Sequence, residues 1–228
     1  MSHQKNIILG FEDDYLVAIK PYGISTSKSS VHEKESFQDL VRGSEEYTSL
    51  GNGPFLEPCH QLDKLTSGIV LFARNKSSLK NIHTQFEMRE ITKGYVARCV
   101  VSQNRCDGFS KLAQGQKLLG AIHTISKEYK SGNHTGPGYK KVATAVLRTE
   151  EISPDLIDIY LSPETGRTHQ LRIQLSSLGY PILGDPIYGK QAYADSGSFM
   201  HLHSYHISFM HPKKHRKMEF QHFPEWIK

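Results

Sequence analysis

Apolar positions in this chain cluster into short runs separated by polar turns, and most of the runs carry strand character. Residues 7–10 and 15–19 are two such runs around the acidic turn Glu12-Asp13-Asp14. Lys20-Pro21-Tyr22-Gly23 ends the second, because a proline has no amide to give to a ladder. Residues 68–73 form the densest run, Gly-Ile-Val-Leu-Phe-Ala, which predicts a buried strand. A further strand is predicted over 91–101. Residues 142–149 alternate and predict another, with 156–161 as its hairpin partner across Ser153-Pro154-Asp155. The alternation of 198–211 predicts the last strand.

Helical spacing is rarer. Leu79, Ile82 and Phe86 repeat on one face and predict a helix over 77–90, capped by Ser77 or Ser78. Leu171, Leu175 and Leu178 mark a second, stopped by Gly179 and Pro181. A short helix over 37–42 has Ser36 as its cap. The stretch 102–141 is polar and glycine-punctuated, with a loop over 132–138. It mixes Lys127, Lys130, Lys140 and Lys141 with Tyr129 and Tyr139, which suits either a nucleic-acid surface or a solvated loop. The basic cluster 213–217 reads as a solvated surface loop. Strand-rich patterning with intervening helices predicts an α+β fold.

At 228 residues the chain can bury a substantial core, and no internal boundary divides it, so a single domain over 1–228 is expected. Hydrophobic residues make up 37% and charged residues 22%, the balance of a soluble globular protein. No apolar run approaches the ~20 residues of a membrane span, and the polar start is no signal peptide. Cys59, Cys99 and Cys106 form no C-x-x-C pair; an odd number without a secretion signal points to reduced thiols and a cytoplasmic location. The net charge of +5 suits a polyanionic partner without requiring one. His201, His203, His206, His211, His215 and His222 crowd the C-terminal part, but their spacings fit no closed ligand set, so no metal is expected.

One residue stands out for chemistry. Asp63 lies between Leu62 and Lys64 at the mouth of the strongest strand. Spacing alone leaves it open between a site carboxylate and an Asx-type turn residue. Likewise Tyr95 reads as a strand core residue, and Arg172 as a helix-surface cation.

The motifs around these residues resemble those of the RluA-type family of RNA pseudouridine synthases. His60-Gln61-Leu62-Asp63, two residues, then Thr66-Ser67-Gly68 and an apolar strand is similar to the family's His-Arg-Leu-Asp signature. Lys20-Pro21-x-Gly23, Lys93-x-Tyr95, Gly166-Arg167-Thr168-His169-Gln170-Leu171-Arg172 and Gly184-Asp185-Pro186-x-Tyr188-Gly189 resemble its other motifs. The likeness covers roughly residues 7–212. It implies a pseudouridine synthase fold: a mixed, largely antiparallel sheet with flanking helices and a central cleft. The N-terminal RNA-binding domain of many relatives is not expected.

The activity implied is isomerisation of uridine in rRNA or tRNA to pseudouridine, with no cofactor. Asp63 would be the catalytic carboxylate, attacking the anomeric carbon or removing a ribose proton, and ionised in either case. Arg172 would supply the charge that keeps it ionised, through an ion pair. Tyr95 and Leu171 would pack on the uracil; His60, Gln61 and Arg167 would contact substrate. Gln61 stands where the family usually has Arg, so the cation used there to replace the flipped base is missing. RNA is the implied partner, and a monomer is expected. Two other readings compete: a catalytically inactive RNA-binding module of the same fold, and a glycoside-type hydrolase pairing Asp63 with Glu164 or Asp185.

Overall fold

The computed structural model describes residues 7–28, 33–51, 53–101, 112–132, 134, 136–189 and 199–227. In chain order the elements are β1 (Ile8–Phe11), β2 (Tyr15–Lys20), α1 (Phe37–Gly43), α2 (Glu45–Ser49), β3 (Glu57–Pro58), β4 (Ser67–Ala73), α3 (Lys76–Glu87), β5 (Thr92–Val100), β6 (Lys117–His123), β7 (Tyr129–Ser131), β8 (Tyr139–Ser153), β9 (Leu156–Pro163), α4 (Gln170–Ser177), β10 (Leu202–Met210) and β11 (Lys217–Gln221). They belong to two compact units, one made of residues 1–93 and 203–228, the other of residues 94–202.

In the first unit β4 is the central strand. Antiparallel β2 lies along it from Tyr15↔Ala73 to Lys20↔Gly68. Antiparallel β3 pairs with its end, and parallel β10 with its start at His203↔Ser67 and Ser204↔Gly68. Strands β1 and β11 extend β2 and β10. Alternation decides what each face buries. Val17, Ile69, Leu71, Ala73, Ile207 and Phe209 pack in one cluster with Ile82 of α3, whose Leu79 and Phe86 lie at its edge. On α1, Phe37 meets Phe72 of β4 at 5.8 Å between ring centroids. Burying each such side chain contributes ~1.5–3 kcal/mol.

The second unit orders its strands β5-β9-β8-β6-β7, all antiparallel. Its helix α4 places Ile173 against Ile122 of β6 and Val142 of β8. Arg98 and Asp158, register partners on β5 and β9, form a bidentate ion pair at 2.8 and 2.9 Å.

Several elements depart from expectation. The 37–42 helix has its Ser36 cap, with Asp39 closing a capping box, and runs one residue further. By contrast, α3 is capped by Asn75, whose extended backbone lets its side chain reach the amide of Ser78. Strand β8 reaches from 139 to 153, with register shifts against β9 at Val146/Arg148 and Glu151/Ser153. Helix α2 and strands β3, β6, β7 and β11 lie outside the elements the sequence predicts. The cluster 213–217 is not simply solvated. Lys213 pairs with Asp14 at 2.6 Å, Lys214 and Arg216 both bind Glu12, and Lys217 begins β11. The acidic β1–β2 turn thus docks the basic one. Residues 102–111 and 198, and with them Cys106, lie outside the described residues.

Candidate active site

Asp63 sits in the irregular stretch between β3 and β4, half-buried. Its neighbours are clamped on both sides. Upstream, the Leu62 amide donates to Thr26 Oγ1 at 3.0 Å, and the Thr26 hydroxyl donates back to the Leu62 carbonyl at 3.2 Å. Downstream, the Lys64 carbonyl accepts from the Gly23 amide at 2.9 Å and from Lys20 Nζ at 3.3 Å. The Asp63 carbonyl itself accepts from the Thr66 amide at 2.9 Å, closing a tight turn into β4. With backbone on both sides tied down, the carboxylate is mounted on a rigid support.

Lys20 is the unusual member of this support. Its side chain is fully buried, and the ammonium donates to three carbonyls, of Ile24 (2.8 Å), Pro21 (3.0 Å) and Lys64. Burial lowers its pKa to about 7, while the negative charge of Asp63 favours the protonated form. The Lys-Pro-x-Gly turn and the Asp63 turn are therefore joined through one amine.

His60 is held by the Leu71 amide, which donates to Nε2 at 3.2 Å. Burial and the charge of Lys93 push its pKa down to about 3, so its ring is a neutral acceptor. Gln61 is exposed, and its Nε2 donates to Ser27 Oγ at 3.0 Å. After the turn, Gly68 adopts φ +116°, and a Cβ there would lie 2.3 Å from the Ser204 carbonyl oxygen. Only glycine lets β10 approach β4 this closely. Beside it, Ser67 Oγ and His203 Nδ1 are 2.8 Å apart.

In the second unit the other expected residues stand on β5, on α4 and just before α4. Tyr95 is buried on β5, opposite Leu161 of β9. Leu171 and Arg172 are buried on the first turn of α4, and Arg167 is exposed ahead of it. His169 begins the helix in the left-handed conformation with no side-chain cap, its Nδ1 3.0 Å from Tyr188 Oη. Gln170, the first helical residue, ties α4 to the chain ahead of it: its Oε1 accepts from the Arg167 amide at 3.2 Å and the Thr165 hydroxyl at 2.7 Å. Its Nε2 donates to Thr144 Oγ1, which in turn donates to Gln174 Oε1 at 2.8 Å. Two glutamines one turn apart thereby dock α4 on β8.

One carboxylate that grips Arg172 is Asp185, a pairing the sequence does not predict. Nε and Nη2 donate to Oδ2 and Oδ1, both at 2.8 Å. Asp185 Oδ1 also accepts from the amides of Ile187 (2.9 Å) and Tyr188 (3.1 Å). Burial raises the Asp185 pKa, but Arg172 and these two amides outweigh it and hold the group below its ordinary value. The Arg172 guanidinium carbon lies 5.1 Å from the Tyr188 ring centroid, within cation–π range. The Gly-Asp-Pro-x-Tyr-Gly motif is thus the cradle of the arginine. A hydrolase role for Asp185 conflicts with this, because its side chain is fully buried and committed. Glu164, the other candidate, pairs with Lys117 at 2.9 Å.

The α+β architecture carrying these motifs is that of the pseudouridine synthase fold. A family model described as RNA pseudouridylate synthase matches residues 14–177, and the chain belongs to that family. Among curated relatives, the dual-specificity RNA pseudouridine synthase RluA of Vibrio parahaemolyticus is 30% identical, over 90% of this chain and 78% of its own. An uncharacterised RNA pseudouridine synthase of Mycoplasma pneumoniae is 28% identical over 92% of this chain, which spans 64% of that relative's length. Among solved structures, human RNA pseudouridylate synthase domain containing 1 is similar with a TM-score of 0.69 at 25% identity, covering 96% of this chain and 84% of its own.

Proposed function

We propose that this chain is a cofactor-independent RNA pseudouridine synthase acting on uridines in rRNA or tRNA, with Asp63 as its catalytic carboxylate. The observation that carries the assignment is the double clamp on Asp63, by Thr26 on one side and by Lys20 and Gly23 on the other. A carboxylate that must meet one ribose carbon or proton needs such preorganisation. In the reaction the bond between uracil N1 and the ribose breaks, and carbon 5 bonds to the ribose in its place. The carbon-5 hydrogen leaves and N1 gains one, so no oxidant or reductant is consumed.

Arg172, itself oriented by Asp185, is assigned the cation that keeps the catalytic carboxylate ionised. Tyr95 and Leu171 are assigned the faces of the uracil ring. His60, Gln61 and Arg167 are assigned contacts to the surrounding RNA. Gln61 carries no charge and is held by Ser27, so in this chain it contributes hydrogen bonds to the displaced nucleotide. The working unit is a monomeric catalytic domain in the cytoplasm. Among the described residues no helix is long and apolar enough to cross a membrane.

Tritium release from RNA labelled at uracil carbon 5 tests the assignment. Asp63→Asn abolishes release and leaves RNA binding within a few-fold of the wild type. Release by Asp63→Asn at the wild-type rate would overturn the role. Binding of rRNA and tRNA by the wild-type chain with no release from either would instead establish the inactive RNA-binding module.

A further inference from the structure

We propose that one face of the β6–β7–β8 sheet is a phosphate-contact surface for RNA, with Lys130 and Lys141 as its paired cations and Tyr139 as its stacking ring. The proposal rests on the RNA reading above but concerns residues that reading does not use. Charge first draws attention to the segment. Residues 117–141 contain five lysines and one glutamate, a net of +4, whereas the whole chain nets +5.

Register then brings the charges together. Ala121 on β6 is the partner of both Lys130 on β7 and Lys141 on β8, so the two lysines flank a small residue in one row across three strands. Adjacent strands are ~4.8 Å apart, which places the two lysine backbones on the order of 10 Å apart. Alternation puts Lys117, Leu119, His123 and Tyr139 on the same face. The opposite face holds Ile122 and Val142, packed with Ile173 of α4, so the lysine face is the outer one. Lys117, Lys130 and Lys141 are exposed on it.

Aromatic rings stand among these cations. Lys130 Nζ is 5.2 Å from the Tyr139 ring centroid, and the rings of His123 and His134 are 4.9 and 4.3 Å from it. Two carboxylates temper the face: Glu128 accepts from Tyr139 Oη and lies 4.0 Å from Lys130 Nζ, and Glu164 binds Lys117. Among the described residues no carboxylate pairs with Lys141. Cations spaced along a sheet and interleaved with ring faces suit a nucleic-acid strand, whose phosphates and bases alternate.

The test is the salt dependence of binding to a labelled single-stranded oligouridine. Each phosphate contact to a single strand contributes ~0.7 to the slope of log K against log salt. Lys130→Ala/Lys141→Ala is expected to lower that slope by ~1.4. The control Lys76→Ala/Lys80→Ala removes the same charge from exposed positions on α3 and is expected to leave it unchanged. An unchanged slope in the first variant overturns the proposal, and so does an equal fall in the control. Loss of binding to phosphatidylserine vesicles with the RNA slope intact also overturns it, and assigns the face to membranes. Because the slope measures binding alone, the two readings fail separately. Wild-type binding through this face without tritium release would sink only the enzymatic assignment; release with an unaltered slope would sink only this one.

Discussion

Arg172 and Asp185 meet through two parallel hydrogen bonds of 2.8 Å, in a pair almost wholly removed from water. A buried pair of this kind contributes orientation more than stability, but breaking it is costly. Asp185→Ala strands a guanidinium and leaves two backbone amides without an acceptor. It is expected to cost ~3–5 kcal/mol in urea unfolding and to eliminate turnover. Asp185→Asn keeps an acceptor for the amides of Ile187 and Tyr188 and is expected to cost less. A cost for Asp185→Ala below ~1 kcal/mol would contradict the burial of the pair.

The reciprocal bonds between Thr26 and Leu62 give a second prediction. Thr26→Val keeps the shape but leaves a buried donor and acceptor unmatched, at ~1–3 kcal/mol. Because the lost clamp lies next to Asp63, kcat is expected to fall on the order of tenfold, with KM little changed. Thr26→Ser restores the hydroxyl and should recover most of the rate. A change confined to KM would place Thr26 in substrate binding instead.

Stability should depend on pH through Lys20. In the folded chain it loses its proton near pH 7, and in the unfolded chain near 10.5. Between those values the unfolded state holds more protons, so stability climbs with pH across that window, by up to ~1.4 kcal/mol per unit. Below about pH 7 both states are protonated, and the cost of burying the ammonium is present in full. Lys20→Met removes this dependence. Urea titrations at pH 7, 8 and 9 should show the wild type gaining on the variant at each step; parallel curves would refute the neutralisation of Lys20.

What the sequence reveals depends on how local the cause is. The apolar run 68–73 and the Ser36 capping box are dictated by neighbours in sequence, and both are legible. So is the leucine face of α4, where Leu175 and Leu178 are buried. The cap of α3 is a nearer miss: Asn75, Ser77 and Ser78 are all capable, and the extended φ of −156° at Asn75 decides between them. Strands β6 and β7 escape notice because exposed lysines and Gly120 blur their alternation, and the apolar partner is a helix some fifty residues away. At the site, family motifs point to Asp63, Tyr95 and Arg172 individually. The grip of Asp185 on Arg172 is illegible, because it depends on how residues 179–185 turn back to the helix.

The close passage of β10 beside Gly68 has a consequence for biogenesis. The strand that follows Asp63 acquires its parallel neighbour only from residues beyond 202, while 94–202 form a contiguous body. On the ribosome residues 94–202 can consolidate as soon as they are made, whereas the portion bearing Asp63 must wait for β10 to emerge. The strand next to Asp63 is therefore completed only after a segment well over a hundred residues downstream has been made.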